Sequence, residues 1–175
     1  ASDATLATTS ASSTGLAALY YNIAADQANF ASLPALLAHF GTNSPAPSLV
    51  QTATSLNFGG DGTGFPAPYT SGATNFEAIY SGKVNIATTG TYTFNTSSDD
   101  GSMLFIDGVA VVTNNNFQGV TTQSGSISLS AGMHDIVIAF NQGGGGYGMN
   151  AQISGANDVN MVDINTSNAN ITPDL

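Results

Sequence analysis

The sequence has no cysteine, no arginine and a single lysine, Lys83, and it holds only one glutamate, Glu77. Without cysteine there are no disulfides, no thiol nucleophile and no thiolate-ligated zinc. The shortage of bases says more. Eleven acidic residues leave a formal net charge of −10, and phosphate backbones are gripped by lysine and arginine, so no nucleic-acid partner is expected. An acidic surface repels anionic membranes and attracts cations. No apolar run approaches the roughly 20 residues that a membrane-spanning helix needs, so direct membrane insertion is not expected either. A basic start followed by an apolar run, the mark of a secretory signal, is missing. The chain reads as a module of something longer. Its acidity suits a secreted or surface-attached bacterial protein bathed in salt and calcium.

What is present fits one domain: 175 residues with 42% hydrophobic side chains are enough for a single core and too few for two. Residues 1–14 are small and hydroxylic, with almost nothing to bury, and read as a linker or N-terminal tether. Residues 15–175 read as the domain. One helix is predicted in SLPALLAHF, where Leu33, Leu36, Leu37 and Phe40 recur at helical spacing between a Ser32 cap and Gly41. From residue 76 the period becomes two: Phe76, Ala78, Tyr80, Val84, Ile86, Tyr92 and Phe94 all fall on even positions. Further strands are expected at 103–107, 108–112, 126–130, 134–140 and 148–154, separated by Thr89-Gly90, Asp107-Gly108, Ala131-Gly132 and the glycines after Gln142. Short strands at such spacing predict an all-β fold, an antiparallel sandwich or barrel, with one short helix near its N-terminus. NFGGDGTGFPAPYTSG, residues 57–72, is too rich in glycine and proline for a regular element and is read as an ordered surface loop.

Two adjacent aspartates, Asp99 and Asp100, end the strand YTFNTSSDD. Neighbouring side chains of a strand point to opposite faces, so an extended backbone would keep these carboxylates apart. Three stretches give the pair a context: GLAALYYNI at 15–23, GKVNIATTGTYTFNTSSDDGSMLFIDGVAVV at 82–112 and LSAGMHDIVIAFNQGGGGYGMNAQI at 129–153. Together they resemble the PA-14 (protective-antigen-type) domain over residues 15–155: an opening Gly-Leu…Tyr-Tyr, Gly-x-Tyr-x-Phe, Ser-Asp-Asp-Gly-Ser, Phe-Ile-Asp-Gly, and a late Ala-Gly-x-His strand.

The resemblance implies an antiparallel β-sandwich. In lectin members of that family, including flocculins and bacterial adhesins, it also implies a cis peptide between the paired aspartates and a Ca2+ ion that binds sugar. Such a bond would turn the carboxylates of Asp99 and Asp100 towards one point. Two carboxylates about 4 Å apart repel by several kcal/mol at an effective dielectric near 20, and a divalent cation removes that repulsion. Every available donor is an oxygen, which suits calcium. Six to eight ligands are required, and the resemblance implies that the loop FNQGGGGYG supplies the remainder: the side chain of Gln142, with Asn141 the alternative, and the carbonyls of Gly143 and Gly144. Vacant positions on the ion would then accept a vicinal diol. Asn141, Tyr147 and the loop TNNNFQG (113–119) are further candidates to touch the sugar, Tyr147 by stacking.

Catalysis finds little support, so no enzyme is expected. Glu77 lacks an acidic partner in the pattern, whereas glycoside hydrolysis pairs two carboxylates across the sugar. His39 and His134 are read as structural, and Asp107-Gly108 as a hairpin turn. Asp61 in GGDGTG could hold a peripheral structural calcium, although the loop matches no calcium-loop spacing. The expected protein is a non-enzymatic, calcium-dependent carbohydrate-binding module of a bacterial surface adhesin, a monomeric unit of a longer chain that mediates cell adhesion. Its partners would be cell-surface glycans or free monosaccharides with vicinal diols. A structural spacer stiffened by calcium and the targeting appendage of a glycoside hydrolase are the alternatives.

Overall fold

Two antiparallel sheets lie face to face, with one helix packed on the outside of the larger sheet. The computed structural model describes residues 14–24, 30–41, 46–156, 158–166 and 171–173; the expected tether, 1–14, lies almost wholly outside them. The elements in chain order are β1 (Leu16–Tyr21), α1 (Leu33–Gly41), β2 (Leu49–Ala53), β3 (Asn57–Phe58), β4 (Phe76–Ile86), β5 (Gly90–Asp99), β6 (Gly101–Ile106), β7 (Val109–Asn114), β8 (Thr121–Leu129), β9 (Gly132–Gln142), β10 (Gly148–Ser154), β11 (Val162–Asp163) and β12 (Ile171–Pro173). The first sheet runs β2-β1-β4-β9-β6-β7, with β12 also paired to β4; the second runs β11-β10-β5-β8, with β3 also paired to β10.

Period-two patterning builds the interior as expected. Phe76, Ala78, Tyr80, Val84 and Ile86 of β4, Tyr92 and Phe94 of β5, and Ile136, Ile138 and Phe140 of β9 all belong to one buried cluster between the sheets. Part of the opposite face of the first sheet is also covered. Ile79, Met103, Phe105 and Ala139 pack under Phe30 and under Leu36 and Phe40 of α1 in a second cluster. Ser32 caps that helix, its Oγ accepting from the Ala35 amide at 3.3 Å. His39, in the last turn, donates through Nε2 to Glu77 Oε2 at 2.7 Å, which ties α1 to β4.

Most of residues 57–72 are exposed, as expected of a surface loop, but the loop is anchored from within. Phe58, Phe65 and Tyr69 are buried, with Phe58 and Phe65 stacked at 4.4 Å and Phe65 against Phe140 at 5.4 Å. Glycine and proline bend the chain while three aromatic rings anchor it in the core. Gly62, at φ +79°, has no room for a side chain: a Cβ there would stand 2.2 Å from Tyr147 Oη.

Candidate functional site

At one end of the sandwich the chain passes between the two sheets several times, and two of these crossings lie side by side. The first crossing, β5 to β6, is made by Asp99, Asp100 and Gly101; the second, β9 to β10, by the glycine run 143–146 and Tyr147. Register holds the two side by side, because Gly101 pairs with Asn141 in the first sheet and Gly148 with Asp99 in the second. The Asp99–Asp100 peptide is cis.

Backbone amides clasp the Asp100 carboxylate. Gly143 N–H donates to Oδ2 and Gln118 N–H to Oδ1, each at 2.9 Å. Asp99 reaches the glycine run from the other side: a Cβ on Gly146 would lie 3.5 Å from Asp99 Oδ2 and equally 3.5 Å from Asp61 Oδ1. Asp61 therefore joins this end of the molecule, which its spacing had not foretold. Burial first, then the Asp100 and Asp61 charges, push the Asp99 carboxyl above its ordinary pKa. Negative charge is concentrated here with no lysine or arginine to offset it, since Lys83 is paired with Asp135 on the strands.

Two amide side chains complete the neighbourhood, and both are fully buried. Asn141 donates through Nδ2 to Asn115 Oδ1 at 3.2 Å. Gln142 turns Nε2 towards the carbonyls of Gly146 at 3.3 Å and Gly145 at 3.5 Å, curling the glycine run over itself. The oxygens of both amides, Asn141 Oδ1 and Gln142 Oε1, have no hydrogen-bond donor. A buried acceptor left without a partner costs about 1–3 kcal/mol, so these two oxygens, like Asn95 Oδ1 and Asn150 Oδ1 on the strands, are open to a donor or a cation. Among the described residues no three His, Cys, Asp or Glu side chains group closely enough to cage a metal by themselves. Any ion here would need amide and carbonyl oxygens as well, a mixed oxygen set that suits calcium. Gly143 offers a carbonyl that already accepts from Asn75 N–H at 3.0 Å, while Gly144 stands clear of its neighbours.

Beneath the pair lies a polar network that sequence reasoning missed. Ser98 and Ser102 hydroxyls bond at 2.8 Å, Ser102 donates to Thr96 Oγ1 at 2.8 Å, and Asn114 Nδ2 reaches Thr121 O at 2.8 Å. Gln118 Nε2 then donates to Asn114 Oδ1 at 2.8 Å, fastening the 115–120 loop to the same network. The signal was visible as Thr96 and Ser98 on the even, inward positions of β5, where the earlier part of the strand carries Tyr92 and Phe94.

Tyr147 requires a correction. It is 1% exposed, its ring packs on Phe65 and Phe76, and its hydroxyl donates to Tyr69 O at 3.1 Å. It props the glycine run from inside and has no face left for a sugar. The histidines are structural, as expected: His39 on Glu77, and His134 with Nδ1 on Asp107 at 2.6 Å and Nε2 on Ser130 O at 2.9 Å.

The chain matches the PA14 domain over residues 12–156. No match was found among curated protein sequences. Among solved structures it resembles an anti-sigma factor domain-containing protein, with 24% identity, 93% of this chain and 49% of that one covered, and a TM-score of 0.72. The chain thus spans about half the length of that protein. It also resembles a PA14 sugar-binding domain from an RTX adhesin, with 19% identity, 89% and 97% coverage and a TM-score of 0.68. A third likeness is to the epithelial adhesin 6 A domain of Candida glabrata, solved with Galβ1-3GlcNAc, at 16% identity, 94% and 88% coverage and a TM-score of 0.63. At these identities the likenesses establish the fold.

Proposed function

This chain belongs to the PA14 domain family, and from that premise we propose that it is a calcium-dependent glycan-binding module. The observation that carries the reading is the meeting of Asp99, Asp100 and Asp61 on the glycine run 143–146, where the buried oxygens of Asn141 and Gln142 also lack donors. Asp99 and Asp100 would hold the ion with Gln142 Oε1 and the carbonyls of Gly143 and Gly144. Bound there, calcium supplies open coordination positions that accept two neighbouring hydroxyls of a sugar. The aspartate oxygens not spent on the ion accept the hydrogen bonds of those hydroxyls, and the amides of Gly143 and Gln118 hold Asp100 in place for both tasks. Two of the similar structures are described as a sugar-binding domain and as an adhesin domain in complex with a disaccharide, which supports a glycan as partner.

The same premise supports a secreted or cell-surface location and a role in bacterial adhesion, with the module carried by a longer chain. It acts by binding and not by catalysis, because Glu77 is committed to His39 and the paired aspartates serve the ion. Calorimetric titration tests this. Calcium should bind at one site with Kd below the millimolar level and raise the melting temperature, and methyl pyranosides should bind only afterwards. Asp99→Asn and Asp100→Ala should each weaken calcium binding at least tenfold. A protein that gains stability from calcium but binds no sugar would instead be a stiffened spacer.

A further inference from the structure

Phe117 stands 59% exposed at the rim of the Asp99–Asp100 site. Single exposed aromatics are ordinary on protein surfaces, but this one is placed and held. A Cβ on Gly143 would meet Phe117 Cε1 at 3.1 Å, Cδ1 at 3.4 Å and Asp100 Oδ2 at 3.5 Å. The ring edge and the carboxylate therefore flank the same point of the glycine run. The next residue, Gln118, donates its backbone N–H to Asp100 Oδ1 at 2.9 Å and its side-chain Nε2 to the buried Asn114 at 2.8 Å. The loop that carries the ring is thus fastened to the very carboxylate proposed to meet the sugar hydroxyls.

A cyclic sugar has an edge of hydroxyls and a face of C–H groups, and an aromatic face, negative in its quadrupole, attracts that C–H face. We propose that Phe117 is a stacking platform that restricts the ligand class to pyranosides, discriminating against open-chain diols that could satisfy the ion equally well. This rests on the glycan reading above. Gly143 takes part by lacking a side chain, which lets the ring lie against the loop beside Asp100.

The test is a titration of methyl gluco-, galacto-, manno- and fucopyranosides, and of the acyclic polyol sorbitol, into wild type, Phe117→Ala and Phe117→Trp in calcium. Calcium uptake is measured separately for each protein. Wild type should prefer at least one pyranoside over sorbitol by about tenfold, the order expected of one aromatic contact. Phe117→Ala should lose that preference and keep its calcium affinity. Phe117→Trp should keep the preference, and because the chain has no tryptophan of its own, its fluorescence should respond to sugar in calcium and not in chelator. Unchanged pyranoside affinity in Phe117→Ala overturns the platform while leaving the glycan site standing. A wild type that takes up calcium and binds none of the four pyranosides overturns both.

Discussion

At the scale of single residues, the proposed calcium site turns on which side-chain oxygen would face the ion. Gln142 spends its Nε2 on the Gly145 and Gly146 carbonyls, and Gly146 adjoins Asp99. Asn141 spends its amide nitrogen on Asn115 and lies over Gly101. Gln142→Ala should therefore lower calcium affinity by tenfold or more, and Asn141→Ala by a smaller factor, when both are measured by calorimetry; the reverse order would move the side-chain ligand to Asn141. The paired aspartates and the glycine run could be singled out in the sequence because they lie in the stretches that resemble the PA-14 domain. Tyr147 could not be assigned correctly there. A tyrosine between glycines looks exposed, and only the aromatic side chains of residues 57–72, folded over the same end, reveal that it is buried.

At the scale of elements, the Asp107-Gly108 turn is fastened to the start of β9. Asp107 accepts from the Asp135 amide at 2.9 Å through Oδ1 and from His134 at 2.6 Å through Oδ2. With acceptors on both ring nitrogens, His134 favours its protonated form, and the Asp107 hydrogen bond is the main reason its pKa is raised above 6.5. Asp107 loses some of its carboxylate character to burial, but the bonds from His134 and Asp135 outweigh this and lower its pKa. The His134 contribution is complete below about pH 6.5 and lost as pH rises through its raised value. The Asp107 contribution is complete above its ordinary value and lost as pH falls through the lowered one. Asp107 is 46% exposed on its side chain, so the pair contributes no more than about 1 kcal/mol. In chelator, the melting temperature of wild type should exceed that of His134→Gln by about 2–4 °C at about pH 5.5, and by less at about pH 9. An equal gap at both values would deny the pair its charge.

Elements differed in how readily they could be read. The helix was legible through Ser32 and its leucines, and β4, β5 and β9 through alternation. β1 was not, because LAALYY is buried on both faces: Leu16, Ala18 and Tyr20 face the sandwich interior and Leu19 and Tyr21 lie under the helix, which erases the period of two. β3 and β11 have two residues each and exist only because β10 offers them an edge, so no local signal could have announced them.

At the scale of the whole molecule, a chain carrying a net charge of −10 brings Asp61, Asp99 and Asp100 together at the end of the sandwich where the β5–β6 and β9–β10 crossings meet. A single diol on one ion implies weak affinity, roughly micromolar to millimolar, which many copies on a surface would strengthen through effective concentration. The central claim is that sugar binding passes through calcium at Asp99 and Asp100. The most direct measurement is a glycan array probed with the purified domain in millimolar calcium, then in excess chelator, alongside Asp100→Ala. The account predicts binding to glycans that share a diol geometry in calcium, and none in chelator or in the variant. Binding that persists in chelator, or a folded protein that binds nothing in calcium, would contradict it.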